Sequence, residues 1–217
     1  IGLTVSGSLT FQATNFTRSY TGTTTFNATT TGKTVTTNGV AFGANVTLNG
    51  VGGAWTLGSA ISLGSNTLTI TNGTFDTSSS GNYAVTAGLL SSSNSNVRTI
   101  NLNASTVTLS STSITFTTST NLTFNAGTST INCSVTSPTF AGGSKTFYNV
   151  SFTSSSVDFG SITGTNTFNN LTITGRTSVG ASIYRLSANQ TINGTFTVSA
   201  GTASAYRTNI VAVTNGI

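Results

Sequence analysis

Two Tyr-Arg pairs, Tyr184-Arg185 and Tyr206-Arg207, are the residues of this chain best suited to hold a ligand. Ser182, Asn193 and Gly194 around the first pair recur as Ser204, Asn215 and Gly216 around the second. The spacing is about 22 residues, which reads as one turn of a stacked repeat. One turn apart, the pairs would set two phenol rings and two guanidinium groups side by side. Such a patch suits an anionic glycan, a phosphate or a partner carboxylate. Stacked guanidinium groups repel by on the order of 1 kcal/mol in water, and tyrosine faces offset part of that through cation–π contact. The plainer alternative is a duplicated packing motif whose Tyr bodies cover apolar surface.

Other chemistry is short of residues. The acids are Asp76 and Asp158, with no Glu and no His. Glycoside hydrolysis uses two carboxyl groups about 5 to 9.5 Å apart. The repeat places the two Asp residues about three turns, or about 14 Å, apart along the axis at strand spacing, so they cannot share one bond within this chain. A Ser nucleophile would lack its His base. Zinc needs several Cys or His ligands, and calcium loops need clustered acids. Thr31-Gly32-Lys33-Thr34 looks like the end of a phosphate-binding loop, but Asn27 stands where the pattern requires Gly. No catalytic residue, metal site or cofactor is expected, and the chain reads as non-enzymatic.

Charged residues make up 4% of the 217 residues, against about 25% in ordinary globular proteins. The net charge of +5 comes from Arg18, Lys33, Arg98, Lys145, Arg176, Arg185 and Arg207. They are scattered and read as isolated solvated charges, not the clustered footprint of a nucleic-acid binder. Cys133 is alone, so no intrachain disulfide can form. No stretch approaches the roughly 18 apolar residues of a membrane span, and no cationic start with an apolar core marks a signal peptide. Asn-x-Ser/Thr sequons such as Asn15, Asn45, Asn121 and Asn170 are about as numerous as the Ser and Thr content produces by chance.

The elements that must position these groups are strands. Ser, Thr, Asn and Gly supply roughly three fifths of the chain. They alternate with Leu, Ile, Val and Phe at period two, as in Leu68-Thr69-Ile70, Val107-Thr108-Leu109 and Leu171-Thr172-Ile173. Such alternation puts the apolar members on one face. Asn38-Gly39, Asn49-Gly50, Asn72-Gly73, Asn193-Gly194 and Asn215-Gly216 signal turns. Asn-Gly also favours antiparallel hairpins, but a repeat near 22 residues argues for stacked parallel coils. Thr25-Phe26-Asn27 lines up with Thr47-Leu48-Asn49 and Thr69-Ile70-Thr71-Asn72. Ile100-Asn101-Leu102 lines up with Leu122-Thr123-Phe124, and Lys145 to Phe152 with Asn166 to Ile173.

The expectation is an all-β, single-domain, right-handed parallel β-helix over residues 1–217. About nine or ten coils would stack about 4.8 Å apart into a rod of about 45 Å. Right-handedness follows the general bias of parallel connections. One interior ladder should run through Val5, Phe26, Leu48, Ile70, Leu102, Phe124, Phe152, Ile173 and Val198. Bulged loops are expected at Phe75–Gly88, Thr136–Gly143 and Gly175–Ser182, with Ser78–Asn96 a surface excursion. Asn27, Asn49, Asn103 and Asn125 either hydrogen-bond from rung to rung or serve left-handed turns. Triplets such as Thr67-Thr69, Thr106-Thr108 and Thr195-Thr197 raise a flat ice-binding array, although their spacing is uneven. A start at Ile1 and an end at Ile217, just after the repeat restarts, suggest a piece of a longer polypeptide.

Leu122 to Ile131, Thr139 to Val150 and Asn166 to Ile173 resemble the Ser/Thr/Gly/Asn-rich β-helix repeats of bacteriophage structural proteins and large bacterial surface adhesins. The likeness covers most of residues 100 to 200. It implies a stiff, extracellular stalk, fibre or virion-surface element that associates with itself or with other virion or surface proteins, and contacts host glycans. The alternatives are a secreted adhesin or passenger-domain segment and an ice-binding solenoid.

Overall fold

A computed structural model describes residues 1–177, 179–199 and 206–213, with the backbone alone at Tyr206. Asn215-Gly216, Ser204 and the Tyr206 side chain lie outside the described residues. The described chain contains strands and turns but no helix. Every strand pairing is parallel, so the fold is a β-solenoid of stacked coils. β-Branched, aromatic and Thr residues at period two suit this pleated, half-buried surface.

The first sheet runs through Leu3–Val5, Thr24–Phe26, Val46–Leu57, Thr67–Asp76, Leu89–Ser91, Ser113–Thr115, Thr139–Ala141, Phe159–Thr163, Gly180–Leu186 and Tyr206–Ala212. The second runs through Ile61–Ser62, Val85–Ala87, Thr106–Leu109, Thr130–Cys133, Thr146–Phe152 and Thr167–Ile173, ending on Thr191–Ile192 and Phe196–Val198. In the middle coils a further strand, Arg98–Asn101, stacks between residues 73–76 and Leu122–Asn125. A coil there has three strands: Leu89–Ser91, Arg98–Asn101 and Thr106–Leu109.

There are about eight turns at roughly 24-residue spacing, not nine or ten at 22. The interval varies from 19 residues at Thr130↔Asn149 to 26 at Gly180↔Tyr206.

The core is a set of columns, each with one side chain per rung. Val46, Leu68, Leu90, Ile114, Phe140, Ile162 and Leu186 form one on the first sheet. Val85, Val107, Ile131, Val150 and Leu171 form one on the second, continued at its end by the half-exposed Phe196. The expected single ladder is therefore corrected. Val5, Phe26, Leu48 and Ile70 do form one column, and Phe152, Ile173 and Val198 form another on the opposite sheet. Phe124 stacks on Ile100 instead of Leu102, a slip of two residues. Ser78–Asn96 is no excursion, since Val85–Ala87 and Leu89–Ser91 within it are rungs of the two sheets. Thr136–Gly143 likewise contains the rung Thr139–Ala141.

The Asn-Gly pairs divide by role. Asn38 (φ 50°) and Gly39 (φ 86°) make a tight turn with both residues left-handed. Gly73 (φ 77°) instead sits within a strand, where an added Cβ would lie 2.5 Å from the Gly50 carbonyl oxygen of the coil below.

Phe140 lies at the centre of the packing, with ring centroids 4.9 Å from Phe147, 5.8 Å from Phe168 and 6.0 Å from Phe152. Phe140→Ala should lower unfolding stability by about 3–5 kcal/mol in chemical denaturation followed by circular dichroism. Val51→Ala, at a side chain 69% exposed, should change it by less than about 0.5 kcal/mol. Equal effects would mean that the columns do not carry the stability.

Candidate functional site

The two Tyr-Arg pairs do not stack. The strand Gly180–Leu186 pairs with Tyr206–Ala212 so that Tyr184 faces Ile210, Arg185 faces Val211, and Tyr206 faces Gly180. The register is offset four residues from the one expected, or about 13 Å along the strand. Tyr184 points inward and is fully buried. Its ring centroid lies 5.4 Å from that of Phe152, and it sits against Gly160 of the preceding coil, where a Cβ would come 2.6 Å from the ring. Burial, with a smaller contribution from Cys133, pushes its phenol well above the ordinary value. Arg185 is exposed, with its guanidinium carbon 5.2 Å from the centre of the half-exposed Phe159 ring. Arg207, also exposed, faces Ala181. The side-by-side patch expected from Tyr184, Arg185, Tyr206 and Arg207 is thus not formed by this register.

The two acids are four rungs apart on the first sheet, one ending Thr67–Asp76 and the other preceding Phe159–Thr163. That is about 19 Å at strand spacing, farther than the expected three rungs. Each has its own partners. Asp76 accepts from Asn101 Nδ2 (2.8 Å), Asn103 Nδ2 (2.9 Å) and the Ser78 amide (2.7 Å). Asp158 pairs with Arg176 Nη1 at 2.5 Å. Among the described residues, no group of three or more His, Cys, Asp or Glu comes together, and no helix is long and apolar enough to cross a membrane.

Both readings of the asparagines hold, at different residues. Asn72 Nδ2 donates to Asn49 Oδ1 at 2.7 Å, and Asn125 Nδ2 to Asn101 Oδ1 at 2.8 Å. On the second sheet, Asn170 Nδ2 donates to Asn149 Oδ1 at 2.9 Å, and the Thr195 amide to Asn170 Oδ1 at 2.8 Å. Asn15, Asn38, Asn82 and Asn121 take left-handed turns, and Asn103 both takes one (φ 49°) and donates to Asp76.

Arg98 overturns the reading of the cations as solvated charges. It is 1% exposed. Its Nε donates to Ser92 Oγ (2.7 Å), Nη1 to the Asn96 and Thr120 carbonyls (both 2.7 Å), and Nη2 to those of Ser92 and Thr118 (both 2.8 Å). All five side-chain donors are satisfied. Ser92 Oγ in turn donates to the Ile70 carbonyl, so one guanidinium ties the turns of three successive coils together without a carboxylate. Burial lowers its pKa. The missed signal was parity: Arg98 shares the inward face with Ile100. Lys145 Nζ similarly donates to the Leu122 carbonyl.

A second missed feature is an outward column on the second sheet. Ser62, Thr86, Thr108, Asn132, Ser151, Thr172 and Thr197 face one another on seven consecutive rungs. All are partly or fully exposed, and among the described residues none makes a side-chain hydrogen bond. Beside it, Thr106, Thr130, Asn149 and Asn170 form the neighbouring column, which is largely bonded to itself. A shallow groove of about 440 Å³ lies over the last four rungs of the pair.

Comparison with known protein families, curated proteins and solved structures finds no match. The site must be argued from its own geometry.

Arg98→Met should strand several buried carbonyl groups and destabilise the protein by at least about 3 kcal/mol, whereas Arg98→Lys, with three donors for five bonds, should recover only part of that. A denaturation midpoint unchanged in Arg98→Met would remove the clamp. Burial raises the Cys133 thiol to about 12. A raised folded-state pKa means stability is present below the unfolded value of about 9 and is lost as pH rises toward 12. The buried Tyr184 phenol acts in the same direction. Stability should therefore fall between pH 9 and 12, less steeply in Cys133→Ala. Urea midpoints measured across that range check this, and a flat profile would contradict it.

Proposed function

We propose that the chain is a non-enzymatic structural segment, a stiff solenoid rod in a fibre, tail or surface component of a phage-like virion. The observation that carries this reading is where the polar groups go. The asparagine ladders, the Arg98 clamp and the Lys145 bond all join one coil to the next. They stiffen the stack, and among the described residues no group of three or more His, Cys, Asp or Glu comes together. Parallel backbone pairing from coil to coil and a continuous apolar core serve the same end. The residues resembling phage β-helix repeats, Leu122 to Ile131, Thr139 to Val150 and Asn166 to Ile173, supply strands of successive coils. A rod of this kind belongs outside the cell and works by spacing and presenting a surface.

Immunogold electron microscopy with antibody raised against the recombinant chain tests this. Label on the tails, fibres or outer shells of phage-like particles from the source culture is the expected result. Label on the envelope of cells that make no particles would move the chain to the bacterial adhesins and overturn the virion assignment.

A further inference from the structure

We propose that the outer face of the first sheet, at its last three rungs, docks an acidic segment of another protein in extended conformation. The residues that hold it are Phe159, Ile183, Arg185, Arg207 and Val211. The proposal rests on the reading of the chain as a structural rod and gives that rod an attachment point.

The face changes character at this end. On the earlier rungs the outward column of the first sheet is Thr4, Thr25, Thr47, Thr69, Ser91 and Thr115, small and polar throughout. On Phe159–Thr163, Gly180–Leu186 and Tyr206–Ala212 the outward positions instead include an aromatic ring, two aliphatic side chains and two guanidinium groups. Phe159 is 51% exposed and Val211 37%, while Ile183 is half-buried. β propensity is met by Thr on every earlier rung, and water-exposed apolar surface has an unfavourable hydration cost that Thr lessens. Stacking alone therefore does not call for the change.

Register sorts these side chains into three neighbouring columns. Phe159 and Ile183 lie in the middle one. Arg185 and Val211 lie two residues along the strand to one side, and Arg207, facing Ala181, lies two residues to the other. The arginines are thus one rung and four residues apart, about 13 Å along the strand direction, with the apolar side chains between them. The Arg185 guanidinium carbon sits 5.2 Å from the centre of the Phe159 ring. A side chain already resting on a ring loses less freedom when a partner arrives, and its cation–π contact strengthens once water is excluded. Aromatic and arginine side chains at the centre of a patch are the groups that carry most of the energy of protein interfaces.

Charge decides what the partner must be. The acids of this chain are Asp76 and Asp158. Asp158 is paired with Arg176, and Asp76 accepts from Asn101, Asn103 and the Ser78 amide. Among the described residues, neither Arg185 nor Arg207 has a carboxylate partner. A second copy, with net charge +5, would bring cations and no free carboxylate, so the acids come from a different protein. Two arginines fall short of the clustered basic stripe that nucleic acid needs. An extended segment places side chains i, i+2 and i+4 on one face, and i to i+4 spans about 13 Å. Acidic, apolar and acidic side chains at those three positions meet Arg207, the Phe159–Ile183 column and Arg185 in order.

The test is fluorescence anisotropy of a labelled synthetic peptide containing Glu-Ser-Leu-Ser-Glu, titrated at low salt with the whole chain. A second peptide carries Gln in place of both Glu. Saturable binding of the acidic peptide is expected, at least about tenfold tighter than the Gln peptide and weakened by added salt. Arg185→Gln/Arg207→Gln should weaken it at least about tenfold. Phe159→Ser, which keeps both charges, should weaken it about threefold or more. Lys33→Gln, on an early coil of the same sheet, should leave it unchanged. Melting curves check that each variant folds, and the two peptides alone decide the matter for any that does not. No saturable binding, equal binding of the two peptides, or an equal effect of Lys33→Gln would each overturn the proposal. Unchanged binding in Phe159→Ser would reduce the site to diffuse charge and overturn it as well. Co-sedimentation with phosphatidylserine vesicles that is lost in the double arginine variant, without peptide binding, would assign the patch to a membrane and overturn it too. None of these substitutions alters where the chain is located, so immunogold labelling judges the rod independently.

Discussion

In-register parallel stacking constrains every residue in this protein. A rung 4.7–4.9 Å above another forces each side chain to live beside the residue at the same register, above and below. Like charges at that distance repel, and an unpaired charge inside the stack must be desolvated. The charged residues on the strands obey this rule. Lys33 faces Trp55; Asp76 faces Thr56 and Asn101; Arg98 faces Gly73 and Leu122; Arg185 faces Ser161 and Val211; Arg207 faces Ala181. No charged residue is paired with another in the described ladder. The 4% charge content is thus a consequence of the architecture. Thr, Ser and Asn replace charge on the outer faces because they tolerate copies of themselves as neighbours.

Within that constraint, the rare polar group that does go inside must be fully satisfied. Arg98 is tolerated in the interior because carbonyl groups at two turns and one serine hydroxyl surround it on every donor. Buried Asn166 follows the same logic: it donates to the Thr163 and Gly164 carbonyls and to Gln190 Oε1, and accepts from the Ser144 amide. Arg98 opens a strand and Asn166 immediately precedes one, and most of the carbonyl groups they bond lie where the chain turns from one face to the next. There the backbone ladder is interrupted and its carbonyl groups need donors from elsewhere. Side chains that look like isolated polar residues in the sequence are therefore the fasteners of the corners.

How much of this was legible follows from the physics of alternation. Period two reveals which residues face inward, and it did so for nearly every strand. It says nothing about slips by an even number of residues, because such slips leave each face intact. Two of the departures from expectation are of this kind. Phe124 stacks on Ile100 and not on Leu102, a slip of two. Tyr184 faces Ile210 and not Tyr206, a slip of four. Where the turns are of equal length, as between Thr146–Phe152 and Thr167–Ile173, the register read from sequence holds residue for residue. Where intervals stretch to 24 or 26 residues, the low-complexity turns hide the extra length, and a motif matched by eye locks onto the wrong even register. The Tyr-Arg duplication was such a match. The Arg98 clamp was hidden differently: its partners are backbone carbonyls, which leave no signature in side-chain identity.

The same degeneracy bears on where recognition can reside in such a fold. Each coil contacts its neighbours alone, so stability is built from local rung-to-rung terms. A side chain pointing inward or bonded to the next rung is constrained by its column, whereas one that points outward and bonds nothing is not. On the second sheet these two conditions lie side by side: Thr130, Asn149 and Asn170 are tied along the axis, while Asn132, Ser151 and Thr172 in the adjacent column are not. An outward column free of the scaffold's hydrogen bonds can change its chemistry without altering the stack. That separation lets a solenoid with almost no charge vary its surface while its core and corners stay fixed.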